Sequence, residues 1–149
     1  MKTTTALIGL LSFASSCTVY TQDTYVEPAT ETIIVQDVNS TPYVVSGYAG
    51  VWFDQVYLDD VWVFEVTADD PDSPWDVVSV FADVYDEYRG GVLIETFELY
   101  PTDDPRIWYS DWFGSTTLLD PFYNGYTVDL VAYDSYDSFD WITVVPEVY

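Results

Sequence analysis

The stretch Val61-Trp62-Val63-Phe64-Glu65-Val66-Thr67-Ala68 decides the fold. Successive side chains of an extended strand point to opposite faces. Trp62, Phe64, Val66 and Ala68 therefore share one side, and Val63, Glu65 and Thr67 share the other. Aromatic and β-branched residues dominate the run, as a half-buried pleated surface requires. It stops at Asp69-Asp70-Pro71-Asp72-Ser73-Pro74, where two prolines remove ladder donors and aspartates favour turns. Downstream, Val77 to Tyr85 repeats the alternation, with Val78, Val80, Ala82 and Val84 opposite Ser79, Phe81, Asp83 and Tyr85. Arg89-Gly90-Gly91 punctuates the chain. Val92 to Tyr100 follows, with Leu93, Phe97 and Leu99 predicted inward and Glu95 sharing their parity. Pro101 to Pro105 breaks the pattern again, and strands at Ile107–Phe113, Tyr126–Tyr133 and Trp141–Val145 complete it. Upstream, Val51 to Leu58 reads as the first strand, closed by an acidic turn at Asp59-Asp60.

No segment sustains a 3.6-residue apolar period. Short strands separated by turn signals predict an all-β fold, an antiparallel sandwich of about seven strands. A domain of about 100 residues buries somewhat over 60% of its unfolded surface, enough for a core without disulfides.

The chain has 149 residues, with 26 acids against three basic residues and no histidine, for a formal net charge of −23. Hydrophobic residues at 49% and aromatics at 19% exclude an acidic disordered tail. Nucleic acid is excluded as a partner, because only Arg89 and Arg106 follow Lys2 to neutralise phosphates. Without histidine there is no Ser-His or Cys-His nucleophile, and without a lysine beyond Lys2 there is no Schiff base. Only carboxylates remain for catalysis, and in so acidic a chain some pair will stand close by chance. The expectation is no enzymatic activity and no organic cofactor.

The N-terminus carries an address. Met1-Lys2 precedes an apolar run from Ala6 to Ala14, about half the length that spans a bilayer. Small residues then lead to Cys17, the one cysteine in the sequence. Ala14-Ser15-Ser16-Cys17 resembles the lipobox of bacterial lipoproteins. That resemblance implies a signal peptide over 1–16, lipid (palmitate among the acyl chains) on Cys17, and membrane attachment through that residue. Thr18 stands where an inner-membrane retention aspartate would sit, which implies the outer membrane and a cell-envelope location. Loss of the leader takes Lys2 with it and leaves 26 acids against two arginines, a formal −24 before termini. The stretch 17–47, rich in Thr, Val, Ser and Gln, reads as a spacer, and 48–149 as the sandwich domain. Within the spacer, Thr32-Ile33-Ile34-Val35 and Tyr43-Val44-Val45 have the composition of edge strands.

A second resemblance concerns the domain. Leu119-Asp120-Pro121-Phe122-Tyr123-Asn124-Gly125-Tyr126-Thr127-Val128-Asp129-Leu130-Val131-Ala132-Tyr133-Asp134 resembles the penultimate strand of immunoglobulin-like and fibronectin type III-like sandwiches. The likeness spans roughly residues 50–146 and implies that Tyr126 closes a tyrosine corner onto upstream backbone, with Val128, Leu130 and Ala132 inward.

Two constellations are candidate sites. Asp69, Asp70, Asp72 and Asp76 gather in one proline-bent turn, with Asp59-Asp60 and Asp103-Asp104 in others. Calcium takes oxygen ligands in flexible geometry, so these four are its candidate ligands; the plainer alternative is that aspartates simply start turns. The run Tyr133-Asp134-Ser135-Tyr136-Asp137-Ser138-Phe139-Asp140 places Tyr133, Tyr136, Asp137 and Phe139 in a candidate binding loop, since Tyr and Ser suit recognition loops. The expected function is that of a non-catalytic, lipid-anchored binding or structural module. The alternative is a carbohydrate-binding or carbohydrate-hydrolysing domain, with Trp75, Trp108, Trp112 or Tyr136 stacking on sugar. A coplanar row of exposed aromatics beside a carboxylate pair would favour the alternative, and aromatics buried inward would favour the structural module. Acidity as an adaptation to high salt is a further reading.

Overall fold

The structure, a computed structural model, describes residues 39–149; the expected leader, Cys17 and most of the expected spacer lie outside them. Eight strands form: β1 (Tyr43–Asp54), β2 (Asp59–Asp69), β3 (Val77–Asp86), β4 (Val92–Pro101), β5 (Ile107–Phe113), β6 (Tyr126–Asp134), β7 (Phe139–Val144) and β8 (Glu147–Val148). The all-β fold expected from the alternation at Val61–Ala68 is present. The hydrogen-bonded order is β7-β6-β3-β4-β5-β2-β1-β8. β4 meets β5 only at Tyr100↔Tyr109 and Pro101↔Trp108. At that junction the sheet curls over, so that β1 packs against β7 and β6, and β2 against β3.

The core fills the space inside the curl. Trp62, Phe64, Val66 and Ala68 of β2 meet Val80, Ala82 and Val84 of β3, Phe97 and Leu99 of β4, and Val128, Leu130 and Ala132 of β6. Phe64 stacks on Phe97 with centroids 4.9 Å apart, and Trp62 meets Tyr126 edge-on at 6.0 Å. Each such aromatic contributes about 1.5–3 kcal/mol of burial, which carries the domain without a disulfide. At Gly47 a Cβ would collide with Leu130 and Ile142, so glycine lets β1 lie close against β6 and β7.

Five details differ from the sequence expectations. β1 begins at Tyr43, inside the stretch assigned to the spacer, because Tyr43 and Val44 pair with Asp69 and Ala68. The first turn is Gln55–Leu58, and Asp59 and Asp60 belong to β2. The carboxylate of Asp54 accepts the Val56 and Tyr57 N–H groups (2.7 and 3.1 Å), which bends the chain there, and Leu58 closes the turn at φ 55°. Val78 faces solvent because a bulge between Val77 and Ser79 turns Val77 inward in its place. Leu93 is likewise exposed, since the register of β4 slips opposite Val84/Tyr85 and Ile94 packs against the core. The sheet is mixed where an antiparallel one was expected. Pro146 has no N–H to extend the β6–β7 ladder, and β8 crosses to run parallel with β1 at Gly50 and Val51.

Candidate functional site

The register of β7, β6, β3 and β4 sets the outward side chains of that half of the sheet in rows. One row reads Trp141–Val131–Phe81–Glu98, the next Thr143–Asp129–Asp83–Thr96, and Phe139 pairs with Tyr133 beside them. The aromatic rings run on as a strip. Phe81 meets Tyr133 at 6.1 Å, Tyr133 meets Phe139 at 5.4 Å, and Phe139 meets Trp141 at 6.0 Å. Phe81 stands edge-on to Tyr133 at 73° and the last two pairs are tilted by 39° and 38°, so the rings form a contiguous strip that is not coplanar. Phe139 and Trp141 stay half exposed, at 49% and 54%. Val131, though outward, is covered by its aromatic neighbours and only 8% exposed.

Beside the strip, Asp83 and Asp129 stand directly opposite each other across β3 and β6. Cβ atoms of such partners are about 4.5–5.5 Å apart, and like charges there are destabilising. Each carboxylate is offset by a hydroxyl on its far side. Thr96 Oγ1 donates to Asp83 and Thr143 Oγ1 to Asp129, both at 2.5 Å. Burial, together with Asp83 and then Asp129, pushes the neighbouring Tyr85 hydroxyl above its ordinary pKa. A shallow groove of about 240 Å³ runs between strip and acids, lined by Asp83, Tyr85, Asp129, Tyr133, Phe139 and Trp141 among others.

The candidate binding-loop residues divide. Tyr133 and Phe139 lie at the ends of β6 and β7 and enter the strip, while Tyr136 and Asp137 occupy the turn, Tyr136 exposed and Asp137 at φ 63°. Asp134 builds that turn. Only 1% exposed, it accepts the N–H groups of Tyr136 and Ser138 (both 2.8 Å) and the side-chain amide of Asn39 (2.7 Å). Burial pushes its carboxyl pKa up, but the donations from Asn39, Tyr136 and Ser138 outweigh that and hold it below the ordinary 3.8. Sequence reasoning placed Phe81, Asp83 and Trp141 in strands but not in a site. The signal available was parity: Phe81 and Asp83 fall opposite the apolar positions of their strand.

Three of the four carboxylates proposed for calcium accept hydrogen bonds from nearby N–H groups. Asp69 accepts the Asp70 N–H, Asp70 the Asp72 N–H, and Asp72 the Ser40 N–H, at 2.9, 2.8 and 2.7 Å. Asp70 is 4% exposed and its second oxygen has no partner. Asp76 donates its N–H to the Ser73 carbonyl. Among the described residues, no three carboxylate, histidine or cysteine side chains converge as a metal site needs. The tryptophans named for sugar contact also divide, since Trp108 is buried, Trp112 packs on Phe97, and Trp75 is 74% exposed in its turn. Tyr126 is buried against Trp62 and Tyr123, and its hydroxyl accepts the Asp120 N–H at 3.2 Å. No helix among the described residues is long and apolar enough to cross a membrane. No protein-family model matches the chain, and no curated protein matches it significantly.

Proposed function

We propose that the chain is a non-catalytic binding module of the cell envelope, held by lipid on Cys17, whose Phe81–Tyr133–Phe139–Trp141 face takes neutral carbohydrate. The observation that carries this reading is the aromatic strip beside the Asp83–Asp129 pair. Aromatic faces pack against the C–H surfaces of sugar rings, and carboxylates accept hydroxyl donations at the rim. Ring spacings of 5.4 to 6.1 Å give an extended surface, suited to several units of a chain. Charge narrows the choice to neutral polymers, since a chain at −23 with three basic residues repels anionic ones.

The same geometry argues for binding without cleavage. A glycosidase sets its two carboxyl groups on either side of the scissile bond. Asp83 and Asp129 instead stand side by side on an open face, and each is occupied by a threonine hydroxyl.

Native gels cast with neutral polysaccharides (a cellulose derivative, xylan, mannan, laminarin) test the reading. The wild-type chain should be retarded by at least one, and Phe139→Ala/Trp141→Ala should run freely, with no sugar released by either. Lipid labelling that persists in Cys17→Ala would remove the anchor from the proposal, and equal retardation of the double variant would remove the face.

A further inference from the structure

A second pocket lies on the outer side of β1, β2 and β5, remote in sequence from the strip. Trp52, Val61 and Phe113 sit in one row across those strands. The turn after β1 brings Tyr57 onto Phe113, with centroids 5.1 Å apart and ring planes at 62°. Trp52, Tyr57 and Phe113 thus surround a cavity of about 120 Å³, with Val61 between them, Asp54 and Asp111 on its wall, and Trp112 lining it from a position whose ring packs on Phe97 in the core. Val61 is only 6% exposed although it points outward. Asp54 holds the cage together, since its carboxylate accepts the Val56 and Tyr57 N–H groups that set the ring of Tyr57 over Phe113. Asp111 is exposed and leaves its charge at the mouth. The carboxylate also lies beside Tyr109, whose hydroxyl pKa is raised first by burial and then by Asp111.

From this arrangement we propose that the pocket binds a small alkylated ammonium ion, of the kind carried by choline. Ring faces are electron-rich, and those of Trp52, Tyr57 and Phe113 around a small space attract an organic cation that sheds water easily. Two carboxylates match its charge, and no cation among the described residues competes. Arg89 and Arg106 are the basic residues among those described, and they pair with Asp86 and Asp104. The space falls well below the roughly 300 Å³ at which pockets for drug-sized ligands begin, so it suits a compact head group and excludes a sugar ring. An anionic group attached to the ligand would meet Asp54 and Asp111 unfavourably, so the free ammonium compound is the occupant and a zwitterionic lipid head group is not.

Tryptophan fluorescence of the full chain, titrated with tetramethylammonium and with choline, reads the pocket through Trp52. Sodium chloride controls for ionic strength, and 3,3-dimethylbutan-1-ol, the uncharged carbon isostere of choline, controls for apolar burial. Saturable binding of both cations is expected, about tenfold tighter than the isostere. Asp111→Asn, an exposed position that leaves the cage packed, should weaken choline several-fold and leave the isostere unchanged. Trp52→Leu should remove cation binding while polysaccharide retardation persists, which separates this site from the carbohydrate face. Choline binding no tighter than the isostere, an unaltered affinity in Asp111→Asn, or retention on phosphatidylcholine vesicles without choline binding would each overturn the proposal.

Discussion

Replacing Asp134 by alanine tests how the end of the domain that carries the aromatic strip is held. Asp134 sits at the last position of β6, 1% exposed, and its carboxylate takes three donors at 2.7 to 2.8 Å. Two of them belong to a turn that already holds Asp137 at φ 63°. A hydrogen bond to a charged group contributes about 1.5–3 kcal/mol, and the amides released here lie near enough to solvent to recover part of it. A loss of about 3 kcal/mol is therefore expected at neutral pH. At about 4 °C of melting temperature per kcal/mol for a domain of this size, that amounts to roughly 12 °C. The pH dependence follows from the lowered pKa. A carboxyl whose folded pKa lies below its unfolded value stabilises the fold above the unfolded value, and loses that contribution as pH falls through the folded one. The gap between wild type and Asp134→Ala should thus be constant from neutral pH down to about 5, then narrow below the ordinary 3.8. Urea melts between pH 3 and 7 measure it. A gap under about 0.5 kcal/mol, or one that stays constant through pH 3, would refute the reasoning.

Three further outcomes follow from the core and its closures. Phe64→Ala, at a position with no exposure and a stacked partner in Phe97, should cost about 3–5 kcal/mol by chemical denaturation. Leu58→Gly should stabilise by about 0.5–1 kcal/mol, because φ 55° strains leucine and the side chain is 75% exposed; a thermal melt reads the gain. Tyr126→Phe, which deletes the acceptor for the Asp120 N–H, should cost about 1 kcal/mol with the ring packing on Trp62 retained.

Alternation at Val61–Ala68 was sufficient for the all-β fold, because a period of two survives wherever one face is buried. It misplaced Val78 and Leu93 because a bulge inserts one residue and reverses every parity beyond it, and nothing in the residue types marks the spot. The first turn was misjudged for a related reason. Asp59-Asp60 has the composition of a turn, yet the bend is made by Asp54 and closed by a leucine in a conformation that composition disfavours. The candidate loop was half legible. Tyr133 and Phe139 stood out by their chemistry, and Trp141 shares a face with Phe139 by parity, but Phe81 reaches them through register between β3 and β6, which a single sequence does not display. The acidic turn shows the opposite case. Its aspartates were conspicuous, yet Asp69 and Asp70 hold the turn's own N–H groups and Asp72 ties the turn to Ser40.

The central claim is that the strip on β3, β6 and β7 is a carbohydrate-binding face. The most direct measurement is an NMR titration of isotope-labelled protein with the neutral hexasaccharides cellohexaose, xylohexaose, mannohexaose and laminarihexaose, followed by ring and indole chemical shifts. The account predicts that at least one shifts Phe81, Tyr133, Phe139 and Trp141 together, with Trp52 and Phe113 unmoved. Shifts centred on other aromatic residues, or no shift with any of the four sugars, would contradict it.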